Sequence, residues 1–319
     1  MKRRGRRLIL AAIFLLLVTA SASFAAETFV LGYTNLRGQK APVPLGVDEG
    51  IFARHGIVIK LVSVSPGTLG VPKLLAGEID IFLGNSEPVV RAVGAEGKRL
   101  VVIANLGADG VSIFSRPGIS RVEELRGKKI GSSVDGASVD RNTKKALRKL
   151  GLDPAKDVTI VYTSFQNSFD RLRVLAAGEV DATVAGADAL PELGSDAAKV
   201  RKLIDLLDIG IAISGADISV SRDLLDKKRD ALKNFTRALQ ESFRLARSRP
   251  ELVRRTYEKH LQLSNPLTLD KMVEEYMDAK VTGRPAPDPR VIEAYIEEFL
   301  PKYPNAPKDA KLYMDATLF

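Results

Sequence analysis

The segment Leu74-Leu75-Ala76-Gly77-Glu78-Ile79-Asp80 returns as Leu175-Ala176-Ala177-Gly178-Glu179-Val180-Asp181, 101 residues later at every position. Both copies set a helix end, a glycine suited to a left-handed turn and the first residues of a strand in the same order. Such a joint is a common way to pass from helix to strand. Here each copy also sits inside its own run of short β-branched segments alternating with helical stretches, which predicts two lobes of like design with parallel strands. At about 150 residues per domain, a chain of 319 residues has room for both.

In the first run, Thr28 to Thr34 reads as a strand, followed by a helix from Leu45 to Arg54 that Gly56 closes. A strand from Ile57 to Val64, a helix ending at Gly77, a strand from Ile79 to Leu83, a helix to Ala95 and a strand from Leu100 to Asn105 complete it. The second run opens with the capping pattern Ser120-Arg121-Val122-Glu123. Strands at Lys128–Ser132, Val158–Thr163 and Val180–Ala185 then alternate with helices at Ala137–Leu150 and Asp170–Ala177. Gly110 to Arg116 and Ala216 to Arg222 are matching strand-like segments ending in Ser-Arg, one on each side of the second run. They are expected to form a two-strand hinge near Val111 to Ser115 and Ile218 to Ser221. Beyond Ser221 the pattern is helical, so the first lobe is expected from residues 26–112 and 217–319 and the second from 113–216.

The net charge of +9 suggests nucleic acid until its position is considered. Lys2, Arg3, Arg4, Arg6 and Arg7 precede an apolar run of 11 residues, Leu8 to Val18, and the small-residue stretch before Ala25. That is the pattern of a secretory signal peptide, with cleavage expected after Ala25 by either the general or the twin-arginine route. The apolar run is shorter than the roughly 20 residues a span requires. Without the five leader charges, 43 basic residues face 39 acidic ones, a net +4. Aromatic content of 6% with no Trp offers bases little to stack on, so no nucleic-acid partner is expected, and Arg244, Arg247, Arg249, Arg254, Arg255 and Glu258 read as a solvated face. The absence of Cys excludes disulfides, thiol nucleophiles, Cys-ligated metals and a thioether lipid anchor. Two His, at helix ends, make a metal site improbable, so no metal, cofactor or catalytic residue is expected.

Motifs spread through the mature chain resemble the ABC-transporter substrate-binding proteins of the type II periplasmic fold, in the sulfonate, taurine, nitrate and thiamine-pyrimidine-precursor group. They are Leu31-Gly32-Tyr33, Asp48-Glu49-Gly50-Ile51-Phe52-Ala53-Arg54-His55-Gly56-Ile57, Leu75-Ala76-Gly77-Glu78-Ile79-Asp80, Glu124-Leu125-Arg126-Gly127-Lys128-Lys129-Ile130-Gly131 and Ala146-Leu147-Arg148-Lys149-Leu150-Gly151-Leu152. The resemblance implies two doubly wound α/β lobes joined by a two-strand hinge, with a helical C-terminal segment packed on lobe one. It also implies a monomer in the periplasm that captures a small organic or anionic solute and delivers it to an inner-membrane ABC permease. A sensor signalling to a membrane receptor and a pyrimidine-synthesis-related enzyme are the rival readings. Sulfonate binders often carry an aromatic residue and a proline after the last strand of lobe two. This chain has Ala185-Gly186-Ala187-Asp188-Ala189 there, a small and acidic wall.

Ligands of open parallel sheets sit outside the carboxyl ends of the strands. That rule selects Tyr33, Thr34, Ser65, Asn85 and Ser86 in lobe one, and Ser133, Asp135, Ala137, Ser138, Gly186 and Asp188 in lobe two. Asn85, Ser86 and Ser138 sit at helix starts, where free N–H groups suit an anion, although Ser and Asn there also serve as plain caps. Under the 101-residue offset Glu87 matches Asp188, and with Asp135 these carboxylates suit an amine or a ring N–H. Glu87 facing solvent would instead be a first-turn acid at a helix start. Arg37 and Lys40 lie in a loop near the expected cleft mouth or on the solvated surface.

Overall fold

The computed structural model describes residues 26–64, 67–163, 167–211, 213–278 and 282–319. The expected signal peptide and Ser65 lie outside the described residues. Among those described, no helix is long and apolar enough to cross a membrane.

The strands are β1 (Glu27–Tyr33), β2 (Ile57–Ser63), β3 (Ile81–Gly84), β4 (Leu100–Asp109), β5 (Val111–Ser115), β6 (Lys129–Ser132), β7 (Thr159–Tyr162), β8 (Ala182–Gly186), β9 (Arg201–Asp205), β10 (Ile213–Ser214), β11 (Asp217–Ser221) and β12 (Thr282–Ala286). The first part of the chain adds helices α1 (Pro42–Asp48), α2 (Ile51–Arg54), α3 (Gly70–Ala76) and α4 (Glu87–Glu96). The second adds α5 (Ser138–Lys149) and α6 (Ser168–Ala176), and the C-terminal part α7 (Arg222–Lys227), α8 (Arg229–Ser248), α9 (Pro250–Leu261), α10 (Pro266–Met277) and α11 (Pro289–Phe299). Gly50, at φ 65°, divides the single helix expected over Leu45 to Arg54 into α1 and α2.

The first sheet runs β10-β4-β11-β3-β1-β2 with β12 also on β4, and the second runs β7-β6-β8-β5-β9. Both are mixed, not parallel throughout. β1, β2 and β3 are mutually parallel, as are β6, β7 and β8, whereas β11 is antiparallel to β3 and β4, and β5 to β8 and β9. The pairing explains the reversal. Val111 opens β5 opposite Gly186, the last residue of β8, and Asp217 opens β11 opposite Gly84, the last residue of β3. A strand arriving from the other sheet therefore starts at the carboxyl end of its neighbours and must run backwards.

The chain crosses to the second sheet at Gly110 and, among the described residues, leaves it again through 206–211. Within the segments expected as the hinge, Ser112 to Ser115 and Ile218 to Val220 pair with a strand on each side, while Val111 and Ser221 pair on one side, so the crossing itself lies just before β5 and before β10.

The repeated motif has a shared bonding role. Asp80 accepts from the Val30 amide at 2.8 Å and donates its own amide to the Val30 carbonyl at 2.9 Å. Asp181 does the same to Lys129, at 2.9 and 2.8 Å. Each lobe thus clips the start of β3 or β8 to the adjacent parallel strand through one carboxylate, with Gly77 and Gly178 at φ 71° and 78° making the turn before it.

Phe29, Leu31, Ile81, Ile103 and Ile218 centre the core of lobe one, where helices from the C-terminal half add Phe235, Tyr257 and Tyr276. Phe235 stacks on Phe52 with ring centroids 5.4 Å apart. The last residues also return to this lobe, with the Val102 amide donating to the Tyr313 carbonyl and the Thr236 hydroxyl to the Leu318 carbonyl. Lobe two has its own apolar centre, including Leu125, Ile130, Leu147 and Leu206.

Asp217, buried at the first residue of β11, joins both halves of lobe one. Its carboxylate accepts from the Ser86 amide at 2.8 Å, the Asn105 side chain at 2.5 Å and the Ser214 hydroxyl at 2.6 Å. Burial pushes its carboxyl above the ordinary range, and these donors pull against that shift. Asp217→Ala strands three buried donors and should lower the unfolding free energy by about 2–4 kcal/mol. A fall in the urea midpoint is expected; an unchanged midpoint would show that the network contributes nothing.

Candidate ligand-binding cleft

The carboxyl ends of β1 and β3 lie opposite those of β6 and β8, and ion pairs cross between them. The loop after β1 carries Arg37, whose guanidinium donates to Asp188 at 2.8 Å and to Glu192 at 3.0 Å. Both acids lie in the 3-10 segment Ala187–Lys199 that follows β8. Burial alone would lower the Arg37 pKa, but the two carboxylates outweigh it and hold the guanidinium above its usual value.

A second crossing joins Glu87, at the start of α4, to Arg141 in α5. The Glu87 side chain is only 3% exposed, and Arg91 reaches its other oxygen at 3.4 Å. It does not face solvent as a first-turn acid. Burial pushes its carboxyl up despite the pull of Arg141 and Arg91. A third pair, Lys145 with Glu298 of α11, spans the lobes at 2.6 Å. Beside it Arg141 lies over the Phe299 ring, 5.3 Å from the centroid, and the Tyr295 hydroxyl donates to Asn85 at 3.2 Å.

The residues selected from sequence divide into several environments. Tyr33 is half-buried and packs on the core of lobe one. Thr34 follows it, with its amide on the Leu83 carbonyl. Asn85 and Ser86 begin α4, but the amides expected there for an anion are already taken. The Ser86 amide is on Asp217, and the Glu87 amide is on the Asn85 side chain at 2.8 Å. The Ser86 hydroxyl is buried and makes no hydrogen bond of its own, although it lies beside Asp217.

In lobe two the start of α5 is different. Ala137 occupies its N-cap without a capping side chain, and the Ser138 hydroxyl, at the first helical position, accepts from Arg141 at 3.2 Å. Ser133, in the loop just before, has a buried hydroxyl without a partner. Gly186 closes β8, and a Cβ there would come 2.5 Å from Asp188 Oδ1, so a larger residue would make the carboxylate that meets Arg37 shift. Asp135 does not join the other acids. Its exposed carboxylate is engaged by Lys144 and the Tyr162 hydroxyl, each at 2.9 Å, which hold it below the usual carboxylate range.

Arg141, Glu192 and Glu298 escaped the sequence reading. Arg141 stands one turn beyond Ser138 and Glu192 one turn beyond Asp188, so helical spacing from a chosen residue was the available signal. Of the two loop cations, Arg37 is a bridging residue, while Lys40 is buried, with its ammonium 3.4 Å from the Asn35 side chain. The His residues are each held by a carboxylate, His55 by Glu241 at 2.8 Å and His260 by Asp48 at 2.9 Å. Among the described residues, no three His, Cys, Asp or Glu side chains form a group able to hold a metal ion.

A cavity of about 410 Å³ lies beside the crossing at Gly110, between the cleft ends of β5 and β9 and the end of α10. Of its lining carboxylates, Asp205 is engaged by Ser112 and Lys202, and Glu274 by Lys271.

Residues 38–252 match the model of the family described as NMT1/THI5 like. The chain belongs to the NMT1/THI5-like family. This family member has a fold similar to that of the periplasmic aliphatic sulphonate binding protein SsuA from Escherichia coli, with a TM-score of 0.72 and 19% identity over 90% of this chain and 91% of that one. It is also similar to the periplasmic nitrate-binding protein NrtA from Synechocystis PCC 6803, with a TM-score of 0.70 and 12% identity over 92% and 87% of the two chains. The desulfurization enzyme DSZB shares the fold as well, with a TM-score of 0.66 and 17% identity over 92% and 97%. At such identities the likeness establishes architecture alone. No curated protein sequence matches this NMT1/THI5-like chain.

The raised position of the Glu87 carboxyl fixes the sign of a pH effect. Its favourable contribution is present in full below the ordinary carboxylate range and is lost as pH rises through the raised value. On passing from pH 4 to pH 7 the melting temperature of Glu87→Gln should therefore rise relative to that of the parent protein, because only the parent has a carboxyl to ionise there. Paired melting curves across that interval check this, and an advantage that grew on acidification would reverse the assigned sign.

Proposed function

We propose that this protein is an exported solute-binding protein that closes two lobes on a small organic or anionic solute and delivers it to an ABC-type permease of the inner membrane. The observation that carries the reading is the set of ion pairs joining opposed strand ends across the cleft. The Arg37 and Lys145 pairs are partly exposed and separate at modest cost, about 0–1 kcal/mol each, which leaves the enclosed Glu87–Arg141 pair as the contact that a solute must replace. A ligand that prefers the closed arrangement can therefore set the balance between states.

The lobes are proposed as residues 26–112 with 217–319, and residues 113–216, turning about the crossings at Gly110 and 206–211. The ligand shell is proposed to draw on Thr34, Asn85, Ser86, Ser133, Ser138, Gly186 and Asp188, with Tyr33 and Ala137 lining it. The basic N-terminus and the apolar run after it support cleavage after Ala25 and export to the periplasm, where the protein is proposed to act as a monomer.

The fold shared with DSZB raises catalysis as a second reading. Against it, the chain has no Cys, and both His are tied to carboxylates on lobe one.

The mature protein, freed of bound solute, should melt about 5–10 °C higher in at least one member of a set of sulfonates, nitrate, carboxylates, amines and pyrimidines supplied at 100 times its Kd. Ser138→Trp should abolish that shift while leaving the melting temperature of the free protein unchanged. A screen without any shift would count heavily against solute binding, and a Ser138→Trp protein that still responds would remove this loop from the site.

A further inference from the structure

Each wall of the cleft carries charge of both signs, arranged in opposition. Lobe one presents Arg37 and Glu87, and lobe two answers with Asp188 and Glu192 against the first and Arg141 against the second. Glu87 and Arg141 are the more enclosed set, with side-chain exposures of 3% and 23%. A solute that enters beside them draws one member away. A simple anion taken by Arg141 would leave the enclosed Glu87 carboxylate with Arg91 alone, 3.4 Å away on its other oxygen, and would set a second negative charge beside it. A simple cation taken by Glu87 would leave the Arg141 guanidinium without its carboxylate. Removing one partner of a buried pair is the costly event, whereas exchanging partners is not.

The surrounding polar groups assign a direction to the exchange. On lobe one, the first amides of α4 are filled from within by Asp217 and Asn85, so this wall has its acceptor, Glu87, to offer. On lobe two, the 12-residue helix α5 starts without a capping side chain, and the buried Ser133 hydroxyl before it has no partner. With Arg141, these groups suit an anionic oxygen.

Resting on the solute-binding reading, we propose that the cleft selects a dipolar solute. Its protonated amine or equivalent N–H donor lies on Glu87. Its anionic group lies on Arg141, the Ser133 hydroxyl and the start of α5. The solute takes the place of the direct Glu87–Arg141 contact and keeps both charges partnered.

Calorimetric titration of the mature protein, unfolded and refolded to strip any bound solute, tests this with matched probes. β-Alanine and taurine carry both charges, propionate, methanesulfonate and nitrate carry the anion alone, and propylamine carries the cation alone. Wild-type protein should bind a dipolar probe at least about tenfold more tightly than its single-charge counterparts. Glu87→Gln should cost that probe at least about tenfold and leave or improve the affinity for the anions; Ser133→Ala should weaken both classes. Equal binding of anions and dipolar probes by the wild type, or no change in that ratio on Glu87→Gln, would overturn the dipolar assignment and leave solute binding standing. Silence from all six probes, with folding verified by circular dichroism, would overturn both.

Discussion

The Asp217 carboxylate is the contact on which the cleft depends. It stands where β11 begins, just after the chain has returned from the second sheet. Its three donors come from Ser86 at the N-cap of α4, from β4 on the way out, and from β10 on the way back. One buried acid therefore ties together the segment that carries Glu87 and both strands that connect the lobes. Burying a carboxylate is unfavourable unless its oxygens are satisfied, and three donors supply what water would have supplied. The arrangement costs something, as the raised carboxyl shows, but it fixes the position of Ser86 and Glu87 relative to the crossings.

That fixed position gives the pairs across the cleft their meaning. An ion pair between two mobile loops would be worth little. Here Glu87 opens a helix anchored by Asp217, and Arg141 belongs to a helix whose buried face packs on lobe two. Their meeting is a property of how the lobes are placed. Closure then depends on a balance between burying charge and pairing it, and a molecule that pairs the same charges better shifts that balance without any new machinery.

Much of this was legible in the sequence. The alternation of short apolar runs and helical stretches located β1 to β3 and β6 to β8 to within two residues, because buried parallel strands are continuous apolar runs. The repeated Gly-Glu-apolar-Asp marked the equivalent joint in each lobe, although its function, an aspartate clipping one strand to the next, required the neighbouring strand to be seen. The direction of β5 and β11 was not legible, since a strand reads alike in either sense. Nor were the cross-cleft partners: Arg37 meets Asp188 across 151 residues, and Arg141 meets Glu87 across 54. Local patterns carry no information about such distant pairings. They could identify the helix starts and strand ends where ligands gather, but not which amides were already filled. Asn85 and Ser86 show the difference, because they have the composition of an anion site while the Ser86 and Glu87 amides there are already bonded.

The two ends of the cleft are not equivalent, and their burial says how they divide the work. Arg37 keeps 32% of its side chain exposed, and its two acids keep 13% and 21%, so water can replace each partner as the lobes part. Glu87 has almost no such access. The Arg37 end can therefore open and reclose at small cost, as a gate must. The Glu87 end cannot release its charge without a substitute, as a selective site must not. On the proposed function, a protein that has to both discriminate and let go is served by placing these properties at different ends of one cleft. The anchor at Asp217 lies behind the discriminating end, where movement would be least tolerable.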